Sequence, residues 1–206
     1  LGKTFFQTAI AYMTQVLQPL EIGNRHTTGI QVHIGYHDDA PLGKYFIGLS
    51  VKGDRILVLV DVSASMLDET VVNVIRLRNM PESRRLMSEK WRRTVATVDW
   101  LTAQIPPKSQ FQVIAFNVKA WPVVPNSTGR WLDGSDPQAL TDAVANLRRT
   151  VPADGTSLEN ALALMNTLTP APDNVFIITD GLPTQGATPP AVRKTIDGDG
   201  RLRLFE

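Results

Sequence analysis

The stretch RILVLVDVSASMLDE, Arg55 to Glu69, decides how the rest of this chain is read. Ile56 to Val60 form an apolar run with no polar interruption. A strand with one wet face alternates apolar and polar residues, so an unbroken run marks a strand covered on both faces, as in a parallel sheet. The run stops at a carboxylate, Asp61, and hydroxyls follow at Ser63 and Ser65. In a tight loop, such alternate positions can turn three oxygens toward one point.

Two further runs are short and predominantly apolar, FQVIAF (Phe111–Phe116), with Gln112 its one polar residue, and NVFIITD (Asn174–Asp180), apolar from Val175 to Ile178. Helical patterns separate the three. Ser88–Ile105 places Trp91, Val95, Val98, Leu101 and Ile105 along one side. Asp136-Pro137 is an N-cap followed by a first-turn proline and opens a helix to about Arg149. Thr156–Leu168 sets Leu158, Leu162, Met165 and Leu168 on one face. Strand alternating with helix predicts an α/β fold, a doubly wound and mainly parallel sheet flanked by helices.

The chain has 206 residues, enough to bury a real core, and 43% hydrophobic with 20% charged residues is ordinary for a globular domain. A formal charge of +1 supplies no global field to recruit nucleic acid. Charge is concentrated locally: Arg76, Arg78, Arg84, Arg85, Lys90, Arg92 and Arg93 face only Glu82 and Glu89 in the same segment. A solvated helix face with a basic loop is the expected form of that segment, and an acidic-partner surface is the alternative. With no cysteine, disulfides and thiolate metal sites are excluded. No apolar run approaches the roughly 18 residues that span a bilayer.

Before Gly53, residues 3–20 carry Phe5, Phe6, Ala9, Ile10, Met13, Val16, Leu17 and Leu20 at helical spacing, ended by Pro19. That stripe needs cover from the main domain, a second subunit or a membrane surface, so an oligomer and a membrane contact are both open. TGIQVHIGY and GKYFIGLSV then read as two strands of a hairpin joined by HDDAPLG. His33, His37, Asp38 and Asp39 are read as the polar end of that hairpin rather than as a metal site. The expected organisation is a helix and hairpin extension over 1–52, the main domain over 53–190, and an incomplete continuation over 191–206. The Leu1 start and the apolar first helix suggest a piece of a larger, envelope- or membrane-associated protein, with a cytoplasmic location as the alternative.

In doubly wound sheets, ligands bind beyond the carboxyl ends of the strands. Three features meet that description: Asp61, Ser63 and Ser65 after the first core strand, ADGTSLEN (Ala153–Asn160) opening a helix, and TDG (Thr179–Gly181) after the last core strand. They supply Asp61, Ser63, Ser65, Thr156 and Asp180, two carboxylates and three hydroxyls. Hard oxygen donors of this kind suit Mg²⁺, with Mn²⁺ and Ca²⁺ as alternatives, and suit zinc or copper poorly. Local structural roles compete with this reading. The serines favour turns, Thr156 with Glu159 forms a T-x-x-E capping box, and Asp180-Gly181 is a turn dipeptide.

These residues resemble a von Willebrand factor A domain with a metal-ion-dependent adhesion site, whose first motif is D-x-S-x-S. Asp61, Ser63 and Ser65 match that motif, Thr156 of DGTS matches the family's threonine loop, and Asp180 of IITDG matches its third-loop aspartate. The resemblance spans about Gly53 to Gly186. It implies Ser63, Ser65 and Thr156 as direct ligands, with Asp61 and Asp180 acting wholly or partly through water. It also implies a partner protein whose Asp or Glu completes the ion's shell. The function so implied is a metal-dependent protein-binding module for adhesion or assembly, without catalysis.

Two departures bear on that expectation. The segment LDETVVNVIRLRNMPESRRLM lengthens the connection after Met66, and its Val71, Val72, Val74 and Ile75 are expected to fold onto the domain. It lies beside the motif, so Met66, Asp68, Glu69, Arg76 and Arg78 are candidates for touching a partner. After the third loop only ATPPAVRKTIDGDGRLRLFE follows, too short for another strand–helix–strand unit, with Asp197–Gly200 read as a turn. NVFIITD would then be an unprotected apolar edge, which predicts a longer natural chain. Two other functions remain as alternatives, an assembly subunit with a purely structural ion and an aspartate-based phosphohydrolase. The latter usually carries a second aspartate where this chain has Ser63, and neither G-x-S-x-G nor S-x-x-K surrounds the serines.

Overall fold

The computed structural model describes residues 31–35, 51–180, 193–196 and 202–205. Strands β1 (Gln31–Gly35), β2 (Arg55–Asp61), β3 (Gln110–Phe116), β4 (Ala120–Pro122), β5 (Leu132–Asp133) and β6 (Asn174–Ile178) form one six-stranded sheet. Its order is β1-β6-β2-β3-β4, with β5 pairing the start of β3. The pairs β1–β6, β6–β2 and β2–β3 are parallel, while β4 and β5 run antiparallel to β3. The parallel, doubly wound architecture predicted from the unbroken apolar runs is therefore present.

Burial explains those runs. Every residue of β6 is buried, as are all but the first of β2 and of β3. On one face of the sheet, Val58, Val60, Phe111, Val113 and Phe176 pack with residues of α3 (Glu89–Thr102) and α4 (Pro137–Arg149). On the other, Leu57, Leu59, Ile114, Val175 and Ile177 pack with residues of α5 (Leu158–Met165). Successive strand residues thus feed opposite cores, and the buried polar exceptions are hydrogen-bonded, Gln112 to Ser127 O and Arg130 O and Asn174 to Lys52 O. The caps follow the sequence in part. Asp136 Oδ1 accepts hydrogen bonds from Gln138 N (2.9 Å) and Ala139 N (3.2 Å), as the Asp-Pro signal requires. At α5 the Ser157 hydroxyl caps the helix, accepting from Asn160 N at 3.4 Å.

Two expectations are corrected. NVFIITD is not an open edge: β6 lies between β2 and β1, and β1 pairs with it in register from Gln31↔Asn174 to Gly35↔Ile178. The covering strand comes from far upstream in the chain. The second correction concerns α1 (Val71–Arg78), which with α2 (Glu82–Leu86) fills the long connection. Its apolar residues do not fold away, since Val71 is 74% and Val72 76% exposed, and Ile75 is exposed too. In a helix of 8 residues, Val71, Val72 and Ile75 share one side while Val74 and Leu77 share another, and only the latter side is half-buried. The helix is held at its start by polar contacts, with Asp68 Oδ1 accepting from Thr70 N and Asn73 Nδ2.

Strands β7 (Arg193–Ile196) and β8 (Leu202–Phe205) pair antiparallel as a separate two-stranded sheet. The predicted N-terminal helix, His37, Asp38, Asp39 and the turn at Asp197–Gly200 lie outside the described residues, as does nearly all of GKYFIGLSV.

Candidate metal site

The chain leaves β2 for β3 on one side and returns with β6 on the other, so the sheet's order reverses at β2. Asp61 closes β2 and Asp180 follows β6, which puts both carboxylates at the crevice such a reversal creates. The loop between them is tied from three directions. Val62 N donates to Phe116 O (2.8 Å), continuing the β2–β3 ladder beyond the strand. Ala153 N donates to Val62 O and Ala64 N to Asp154 O, both at 2.9 Å, so the threonine loop is hooked onto the serine loop by its backbone. Asp154 takes a left-handed conformation with φ 65°, and Asn117, just past β3, donates from Nδ2 to Ala153 O (3.2 Å) while its own carbonyl accepts from Ser157 N (2.8 Å). Thr156 is buried in the loop so fixed.

The side chains of the site form a connected set. Asp61 is 0% exposed, accepting from Ser63 N at Oδ1 (2.8 Å) and from Thr179 Oγ1 at Oδ2 (2.7 Å). The Ser63 and Ser65 hydroxyls lie 2.9 Å apart, and Ser65 Oγ donates to Asp180 Oδ1, also at 2.9 Å. Ser63, Ser65 and Asp180 are thus joined side chain to side chain, with Asp61 bound to the Ser63 backbone, while the loop that carries Thr156 is tied to the serine loop through its backbone. Burial, and after it the negative charge of Asp180, push the Asp61 carboxyl from 3.8 up to about 6, against hydrogen bonds from Ser63 and Thr179 that pull it down. A buried carboxylate in this condition is short of positive charge.

This donor set fits a hard divalent cation. Among the described residues no group of three or more His, Cys, Asp or Glu could hold a metal, so any ion here would rest on hydroxyls, two carboxylates and water.

Two residues of the site escaped the sequence reading. Thr179 was read only as part of a strand end, yet it holds Asp61. Lys90 was read as one more member of a basic run. Its ammonium instead reaches Asp180 Oδ2 (2.5 Å), Ser65 O (3.0 Å), Asp68 O (3.2 Å) and Glu69 Oε2 (3.5 Å). The available signal was helical phase, because Lys90 shares the inward face of α3 with Thr94, Thr97 and Leu101. Of the candidate partner residues, Met66 is corrected: it is 1% exposed and belongs to the core, because the 3₁₀ turn Ala64–Leu67 directs it inward beneath the loop. Asp68 is half-buried, while Glu69, Arg76 and Arg78 are exposed.

No curated protein matches this chain. Among solved structures, a von Willebrand factor type A protein from Catenulispora acidiphila is similar, with a TM-score of 0.41 and 21% identity over 60% of this chain and 25% of that one. Proximal thread matrix protein 1 from the mussel byssus, in a structure with a zinc-occupied MIDAS motif, has a TM-score of 0.42 and 21% identity over 68% of this chain and 34% of that one. This chain thus spans a quarter to a third of those two proteins. An aerotolerance-related membrane protein from Bacteroides fragilis has a TM-score of 0.45 and 16% identity over 74% of this chain and 81% of that one. Among the described residues, no helix is long and apolar enough to cross a membrane. The family model for the von Willebrand factor type A domain matches residues 56–182, more than half of the chain, and the chain belongs to that family.

Proposed function

We propose that this domain binds a protein partner through a divalent cation, Mg²⁺ in the first instance, held by Ser63, Ser65 and Thr156 with Asp61 and Asp180 behind them. The supporting observation is the hydrogen-bonded chain Ser63–Ser65–Asp180 beside a fully buried Asp61, on the rim where the sheet reverses. Ser63 and Ser65 offer neutral oxygens, and the two carboxylates balance charge from behind, so the ion would keep an appetite for one more anion. A carboxylate from a partner's Asp or Glu supplies it. Glu69, Arg76 and Arg78 stand exposed on the neighbouring segment, where they would sort partners by charge.

The same geometry argues against a phosphohydrolase. A nucleophilic aspartate must present an oxygen to substrate, whereas both oxygens of Asp61 are engaged within the protein and the residue is sealed from solvent.

The vacancy for a carboxylate is testable with Mn²⁺ as the ion and water-proton relaxation as the readout. A short peptide containing aspartate should lower the relaxivity of the Mn²⁺-loaded domain saturably, by displacing a bound water, and its asparagine counterpart should not. Equal behaviour of the two peptides would mean the ion is structural and its shell is closed by the protein alone. A structural ion would then act mainly on thermal stability.

A further inference from the structure

The ammonium of Lys90 occupies an unfavourable position. It belongs to the first turn of α3, where the helix dipole repels cations, and it is only 6% exposed. A buried ammonium persists only where its donors are satisfied and its charge is matched. Here two backbone carbonyls, Ser65 O and Asp68 O, take its hydrogen bonds, and Asp180 (2.5 Å) and Glu69 (3.5 Å) match its charge. Asp180 belongs to the proposed ion-binding set, and the Ser65 carbonyl adjoins the hydroxyl assigned to it, so one side chain of the chain itself already engages a carboxylate oxygen of the site. A plain stability role would have been served by an apolar residue at this inward position of α3.

Resting on the metal-binding reading, we propose that Lys90 is a tethered cation of this site. Its ammonium holds Asp180 while no divalent ion is bound, and it opposes that ion's entry, so Lys90 sets the affinity of the site. Divalent binding would require Asp180 to be shared or released, and the released ammonium becomes a second positive group beside the vacancy for a partner's carboxylate. The consequence is a site of restrained affinity, in which partner and ion favour each other's binding.

Mn²⁺ binding by the wild type, Lys90→Gln and Lys90→Arg tests this, read from the free-ion paramagnetic resonance signal, with folding checked by circular dichroism. Glutamine keeps a donor for the Ser65 and Asp68 carbonyls while removing the charge. Lys90→Gln is expected to bind Mn²⁺ more tightly by on the order of tenfold, and Lys90→Arg to stay near the wild type. A folded Lys90→Gln that binds Mn²⁺ no more tightly than the wild type overturns the role of Lys90 and leaves the metal site standing. Absence of Mn²⁺ binding in both overturns the metal reading and this inference with it. Should Lys90→Gln fail to fold, acylation of the wild-type Lys90 amine decides. It should rise when Mn²⁺ is added, and an unchanged rate contradicts the proposal.

Discussion

Replacing Asp61 with asparagine is expected to stabilise the metal-free domain at neutral pH, although it removes a buried, hydrogen-bonded group. The carboxyl is raised from 3.8 to about 6, chiefly by burial and then by Asp180. Because the folded state holds the proton more tightly than the unfolded chain, the stability tied to Asp61 is fully present below pH 4. It is lost progressively as pH rises toward and through 6. A shift of this size corresponds to about 3 kcal/mol. Asparagine carries no such cost, so the wild type and Asp61→Asn should differ little at pH 4 and diverge above it, the variant being the more stable. Urea denaturation at a series of pH values in the presence of chelator measures this directly. Addition of Mg²⁺ should reverse the order, because only the wild type offers the negative charge that a dication repays. If Asp61→Asn were instead the less stable protein at neutral pH without metal, the hydrogen bonds from Ser63 and Thr179 alone would satisfy the carboxylate.

Breaking the β1–β6 ladder is the second change with a large expected effect. In a strand, successive backbone N–H groups point to opposite sides, so of any two neighbours in an edge strand one donates into the sheet. One of Val32→Pro and His33→Pro, whose positions pair with Val175 and Phe176, must therefore delete a ladder hydrogen bond. That loss costs about 1–3 kcal/mol where the carbonyl is left buried without a partner. It also uncovers one edge of β6, all of whose residues are buried. The expected result is a lower urea midpoint and a shift toward aggregate in size-exclusion chromatography. If neither proline altered either measurement, β1 would not be what covers β6.

How far the sequence disclosed this arrangement depends on the range of the signal. β2, β3 and β6 were legible because burial on two faces demands unbroken apolar runs, and α4 was legible because Asp136-Pro137 is a local cap. The nearness of Asp61, Ser63, Ser65 and Asp180 was legible because their loops close strands that lie side by side. The pairing of β1 with β6 was hidden for the converse reason. Its partner lies more than a hundred residues away, and alternation alone does not say which strand it joins. The exposure of Val71 and Val72 was hidden because apolar composition was read without phase along a short helix. Lys90 was hidden by its company of arginines, since charge runs are ordinarily solvated, and only its register on α3 set it apart.

The most direct test of the central claim is anomalous scattering from crystals of the domain soaked in Mn²⁺. One strong peak is expected, bounded by the hydroxyls of Ser63, Ser65 and Thr156, at distances of about 2.0–2.3 Å. The same peak should be absent from Ser63→Ala crystals. A peak placed elsewhere on the molecule, or one that persists at full height in Ser63→Ala, would contradict it.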